Sequence, residues 1–179
     1  YAVGNTIIPT WIDEKTGYTN YQGIVFKFNE SGDLIFRKLI GRPAYQAYFS
    51  DICMITENDF AVTGWISDTS GVLQSYADMQ TLFIFDSTFN LKYQHNKYIG
   101  GGSAKQKIVM TKDSVLYVIA ATDIFRIDAE SDYKNDLLIL KYSTKGELFW
   151  HKFIGGRDID IPDGHLCVID DADIGKRFG

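Results

Sequence analysis

The chain has 179 residues, enough for a single domain with a sizeable core. Its net charge of −5 and pI near 5.1 leave no basic footprint for nucleic acid or an anionic membrane. The longest apolar runs, such as "LLIL" and "LYVIAA", fall far short of the roughly 20 residues a spanning helix needs. An aromatic content of 15%, with many Val, Ile and Thr, favours strands over helices.

The chain opens on Tyr1 with no initiator Met and no signal-peptide pattern, as expected of a processed product or a portion of something longer. "YAVGNT" (1–6) predicts a strand, and a long connection, "IIPTWIDEKTGYTNYQ" (7–22), follows it. "IVFKFNESGDLIFRKLIG" (24–41) is an alternating strand, a polar turn and a second alternating strand, hence a hairpin. "GRPAYQAYFS" (41–50) connects it to a hairpin of another kind, "DICMITENDFAVTGW" (51–65), which turns at "TEND". After "SDTSGVLQSYADM" (67–79), "TLFIFDSTFNLKYQHNKYIGG" (81–101) repeats the first kind. "KIVMTKDSVLYVIAAT" (107–122) repeats the second, turning at "TKDS". "DIFRIDAESDYKN" (123–135) then leads to "LLILKYSTKGELFWHKFIGG" (137–156), the first kind again. "HLCVID" (165–170) resembles the start of the second kind, and "DADIGKRFG" shows no clear strand pattern.

The copies are in register with one another. Phe28, Phe85 and Tyr142 are spaced by 57 and 57 residues, as are Leu34, Leu91 and Leu148. Gly32 and Gly146 occupy turn positions that tolerate positive φ, and Phe89 breaks that pattern in the middle copy. "YAVGNT" matches "YVIAAT" (117–122), the end of a second-kind hairpin. One unit is therefore four antiparallel strands, a to d, in about 57 residues, which predicts an all-β fold of β-propeller blades. The expected organisation is one propeller segment over 1–179: a partial blade of strands b to d at 1–41, full blades at 50–100 and 106–156, and the start of a further blade at 164–179. Three blades fall below the roughly 4–8 in which propellers close. An incomplete portion of a larger propeller is therefore expected, with further blades from the parent chain or a partner chain. A sandwich or an up-and-down barrel shares the alternation but does not predict recurrence of the whole unit.

"DLLILKYSTKGELFWHKFIGG" resembles the repeats of large bacterial secreted and cell-surface propeller proteins, including cargo of the type IX secretion system. Lys141, Tyr142, Gly146, Trp150, Gly155 and Gly156 occupy the matching positions, as do more loosely Lys27, Phe28, Gly32, Phe36 and Gly41. The middle copy departs: Ile84 replaces Lys, Phe89 replaces Gly, and two residues are inserted in "QHNKY". The resemblance covers residues 1–170. It implies the fold and an extracellular or outer-membrane-associated setting, without catalytic residues to transfer.

In a four-strand meander the long b–c and the d–a connections share one face. Long loops on a rigid scaffold are where binding residues collect. This face is rich in carboxylates: Asp13, Glu14, Asp68, Asp78, Asp128, Glu130, Asp132, Asp158, Asp160 and Asp163. Aromatic platforms beside carboxylates suit sugars or peptides. The candidate ligand residues are Trp11, Tyr18, Tyr21, Tyr45, Tyr48, Asp68, Tyr76, Asp128 and Asp132, with solvated loop residues as the plainer alternative. Asp158, Asp160 and Asp163 of "DIDIPDG" make a calcium candidate, although Pro162 sits at an alternate ligand position. His95, His151 and His165 lack the three or four ligands zinc needs. Cys53 and Cys167 share a strand-a position with Ile108, which predicts free thiols. "IGGGSAK" (99–105) has no Gly-Lys pair of a phosphate loop, and the expected role of its glycines is to let the chain swing between blades.

The expected role is a non-catalytic extracellular or cell-surface scaffold binding protein or glycan through the long-loop face. The alternatives are a polysaccharide-acting propeller hydrolase or lyase, whose paired carboxylates would do acid–base work, and a structural subunit or cargo of a larger assembly.

Overall fold

The computed structural model describes residues 1–12, 19–41, 45–68, 78–98, 106–122 and 136–155. They form eleven strands: β1 (Ala2–Ile12), β2 (Thr19–Phe28), β3 (Leu34–Ile40), β4 (Tyr45–Met54), β5 (Asp59–Asp68), β6 (Asp78–Asp86), β7 (Leu91–Tyr98), β8 (Gln106–Met110), β9 (Val115–Thr122), β10 (Asp136–Ser143) and β11 (Leu148–Ile154). No helix occurs among the described residues. The strands make three antiparallel sheets of consecutive strands, β1-β2-β3, β4-β5-β6-β7 and β8-β9-β10-β11. The predicted further unit at 164–179 lies outside the described residues.

The middle sheet is covered on both faces, so its alternation sorts residues between two neighbours. Val25, Ala47, Phe49, Phe60, Val62, Ile66, Phe83, Phe85 and Phe89 form the core between the first and middle sheets. Ala61, Leu82, Ile84, Ile108, Leu116, Val118, Ala120, Leu138, Leu140 and Tyr142 form the core between the middle and third. In β6 the run Leu82, Phe83, Ile84, Phe85 is buried throughout and points alternately to the two sides.

The last hairpin of each sheet is the same device three times. Phe28 pairs with Leu34, Phe85 with Leu91 and Tyr142 with Leu148, each next to a register shift that leaves Ile35, Lys92 or Phe149 as the extra residue. The turns repeat atom for atom: Asn29 N–H donates to Asp33 O and Gly32 N–H to Asn29 O, and Asp86/Asn90/Phe89 and Ser143/Glu147/Gly146 do the same. The first side chain of each turn, Asn29, Asp86 or Ser143, accepts from the N–H four residues on. Bonds from Thr88 and then Asn90 hold the Asp86 carboxylate at a pKa of about 2. The "TKDS" turn at 111–115 has the same geometry, with Ser114 at φ 62°, whereas "TEND" uses the Thr56 hydroxyl to accept from Asn58 and Asp59 N–H and has no left-handed residue.

Several expectations need correction. The connections are shorter than the sequence suggests, because β1 runs to Ile12, β2 starts at Thr19 and β4 starts at Tyr45. Strand β7 pairs without interruption to Tyr98, so the two residues placed inside "QHNKY" fall after the strand. Cys53 is not equivalent to Ile108: Ile52 pairs with Val62 as Ile108 pairs with Val118, which makes Val109 the counterpart of Cys53. Cys53 therefore faces the third sheet while Ile108 faces the middle one.

Phe89 sits at φ 65° where the other turns have Gly32 (φ 86°) and Gly146 (φ 92°). Its ring is buried against Phe36 at 4.4 Å and Phe60 at 5.5 Å. Replacing it with Gly removes a buried ring worth about 3–5 kcal/mol and relieves about 1–2 kcal/mol of left-handed strain. Phe89→Gly is therefore expected to lower the unfolding free energy measured by urea denaturation by a net of about 1–4 kcal/mol. Ser114→Gly, which loses no buried side chain, is expected to raise it. A rise for Phe89→Gly would mean that its ring contributes little to the junction.

Candidate functional site

Two groups of side chains stand out. The first lies at the end of the sheets where the β1–β2 and β5–β6 connections emerge. Tyr48 on β4 is paired across from Trp65 on β5. Their rings stack at 5.7 Å and 4°, and Tyr21 on β2 meets Tyr48 edge-on at 6.3 Å and 69°. A bulge at Ser50 makes this possible. Phe49 and Ile52 both face the first sheet although three residues apart, and the re-phased Tyr48 shares the face of Trp65. Tyr21 is exposed, Tyr48 and Trp65 are half-buried, and the Trp65 Nε1–H is buried with no hydrogen-bond acceptor among the described residues.

The second group is buried between the middle and third sheets. The Tyr142 hydroxyl donates to Gln80 Oε1 at 3.1 Å, so His95 Nδ1, 3.1 Å away, is left to donate to Tyr142. Gln80 Nε2 donates to Thr63 Oγ1 at 3.3 Å, and Thr63 donates to Gln106 Oε1 at 2.7 Å. The bonds run in one direction from β7 to β8 and end on Gln106 Oε1, while Gln106 Nε2 has no acceptor among the described residues. Burial pushes the Tyr142 hydroxyl pKa well above its usual range, and burial first, then Lys97, pulls His95 below that of a free imidazole. Gln106 Nε2 apart, the series pairs its polar groups inside an apolar interface and fixes how the two sheets meet.

Of the expected ligand residues, Tyr21 and Tyr48 come together in the aromatic group. Trp11 lies in β1 rather than in a loop, and Tyr45 and Asp68 are paired across β4 and β5 at the same end. Tyr18, Tyr76, Asp128, Asp132 and the calcium candidates Asp158, Asp160 and Asp163 lie outside the described residues, as do 99–105, His165 and Cys167. Among the described residues no group of three or more His, Cys, Asp or Glu side chains could hold a metal ion. Cys53 is a free thiol whose pKa burial raises. His151 sits edge-on to Phe153 on β11. Trp65, Gln80, Gln106 and Thr63 are not among the candidate residues that the sequence marks. No local signal marks Trp65, because the bulge at Ser50 sets the phase that brings Tyr48 opposite it.

The depressed His95 pKa makes acid stability testable. The unfolded chain binds the proton more readily than the folded one, so the stabilising contribution is complete above pH 6.5. It is lost as pH falls through the lower folded value. His95→Gln is expected to flatten the unfolding free energy against pH in that window. An unchanged slope would assign the dependence elsewhere. No family model and no curated protein sequence matches the chain.

Proposed function

We propose that the three sheets are successive blades of a β-propeller, and that the chain is a non-catalytic extracellular or cell-surface scaffold binding protein or glycan at its Tyr21–Tyr48–Trp65 end. Recurrence of the same hairpin, turn and bulge supports the blade reading. So does the way the sheets approach one another: β4 lies against β1 and β2, and β8 against β4 and β5, so first strands line the sheet-to-sheet approach. Sheets radiating from an axis converge in that manner. The likeness of the "KYSTKGELFW" hairpin to secreted propeller repeats supports the extracellular setting.

The observation that carries the binding reading is the aromatic group. Flat rings of Tyr and Trp, one exposed and two half-buried, offer stacking faces for the C–H surface of a sugar or for a peptide side chain. An oligosaccharide and peptide panel, followed by titration of Trp fluorescence, tests this. Binding is expected to weaken by about 30-fold or more in Tyr48→Ala, as for a central aromatic contact. Binding that is indifferent to Tyr48 and Tyr21, or none to any member of the panel, would remove the reading.

A further inference from the structure

The two sheet junctions of this chain use one set of positions. On the last strand of the first sheet, Phe36 packs on Phe89 at the turn of the middle sheet, and Lys38 Nζ donates to the Phe89 carbonyl at 2.6 Å. Fifty-seven residues on, Tyr93 of the middle sheet lies on Gly146 at the turn of the third, so close that a Cβ there would come within 2.0 Å of the ring. His95, the counterpart of Lys38, reaches across the same junction to Tyr142. The rule is a ring two residues before a polar side chain, with the ring seated on the left-handed turn residue of the next sheet.

Both halves of a third such junction stand at the two ends of the molecule. Trp150 and Lys152 on β11 are the counterparts of Phe36 and Lys38, with Trp150 edge-on to Tyr117 and Lys152 over the Trp150 ring. They face away from the middle sheet. Gly32 is the counterpart of Phe89 and Gly146, with no atom within 4 Å of where a Cβ would lie. The face beside it carries Phe26 and Phe28. Their counterparts Phe83, Phe85, Leu140 and Tyr142 are at most 3% exposed, whereas Phe28 is 41% exposed and the neighbouring Leu39 48%. Among the described residues no strand packs on either of these faces.

The geometry points to head-to-tail association of copies of this chain. Trp150 of one copy sits on Gly32 of the next, Lys152 donates to that turn's carbonyl, and Phe26 and Phe28 close against Tyr117, Ile139 and Lys141. A second copy is the favoured occupant because the surface continues an interface that the chain already makes twice, in the same register. Such a contact joins two different patches and either closes into a ring or grows. Two copies of the three described sheets carry six, inside the range of about 4–8 at which propellers close. This inference rests on the successive-blade part of the proposed function and not on its ligand.

The test is the mass of the purified chain by native mass spectrometry and sedimentation, with the charge-introducing variants Phe28→Glu and Trp150→Glu. The native chain is expected at twice the single-chain mass of 20.3 kDa. Each variant alone is expected as a single chain, because one half of every junction is then damaged. Their mixture is expected to form a dimer, because the intact tail of one meets the intact head of the other. Trp150→Ala, a milder change, is expected to weaken association by about 30-fold or more. A native chain of single-chain mass, a variant that still self-associates, or folded variants whose mixture stays monomeric would each overturn the inference. None of these outcomes depends on whether Tyr48 binds a ligand.

Discussion

Burial of both faces of the middle sheet is the constraint on which the remaining structure depends. A sheet with one wet face can tolerate an error in alternation by exposing a few apolar side chains. Strand β6 cannot, because Leu82 and Ile84 belong to one core and Phe83 and Phe85 to the other. A slip of one residue would exchange the contents of both interfaces at once, putting large rings where β10 leaves room for aliphatic side chains. The first and third sheets are thus positioned by two different sets of volumes, and the order of the three is set by the side chains that separate them.

Holding that register falls to the turns. In each closing hairpin a side chain at the first turn position binds the backbone four residues on, the fourth residue adopts a left-handed conformation, and a bulge follows. The bulge brings Phe36 and Tyr93 onto the face that meets the next sheet, and Trp150 onto the corresponding face of the third. Phe89 shows how far the rule bends: a residue that disfavours the left-handed region sits there because its ring fills the space beneath Phe36. In the third sheet the same place is taken by Gly146, because the ring of Tyr93 already occupies it. One junction draws its volume from the turn, the other from the strand.

This division explains what was legible in the sequence. The 57-residue spacing located the closing hairpins, their left-handed positions and their pairing, because turn chemistry is local and glycine is visible. The extent of β1 and β2 was not legible, since Trp11 and its neighbours carry turn-forming and polar residues despite lying in or beside a paired strand. The bulge at Ser50 was hidden for a different reason. Its effect is to change the phase of alternation, and where both faces are apolar the phase leaves no mark in composition. The one-residue error at Cys53 and the assignment of Tyr48 to a loop both follow from that. Gln80, Thr63 and Gln106 were passed over because polar residues in strands ordinarily face water.

The polar chain in the second junction completes the physical account. Its members lie where the interface would otherwise be apolar, so its net contribution to stability is modest. The penalty for leaving any member unpaired is larger. That asymmetry selects one docking geometry: a displaced third sheet would bury Gln80 and Thr63 against carbon. The first junction achieves the same end differently, with Asn5 accepting from Phe49 N–H and donating to Phe49 O across the gap between β1 and β4. Asp51 spans the next gap by accepting from the Ile108 N–H of β8. Apolar volume brings the sheets together without direction, and these few directed bonds make each junction unlike the other, so that repeated units assemble in a single order.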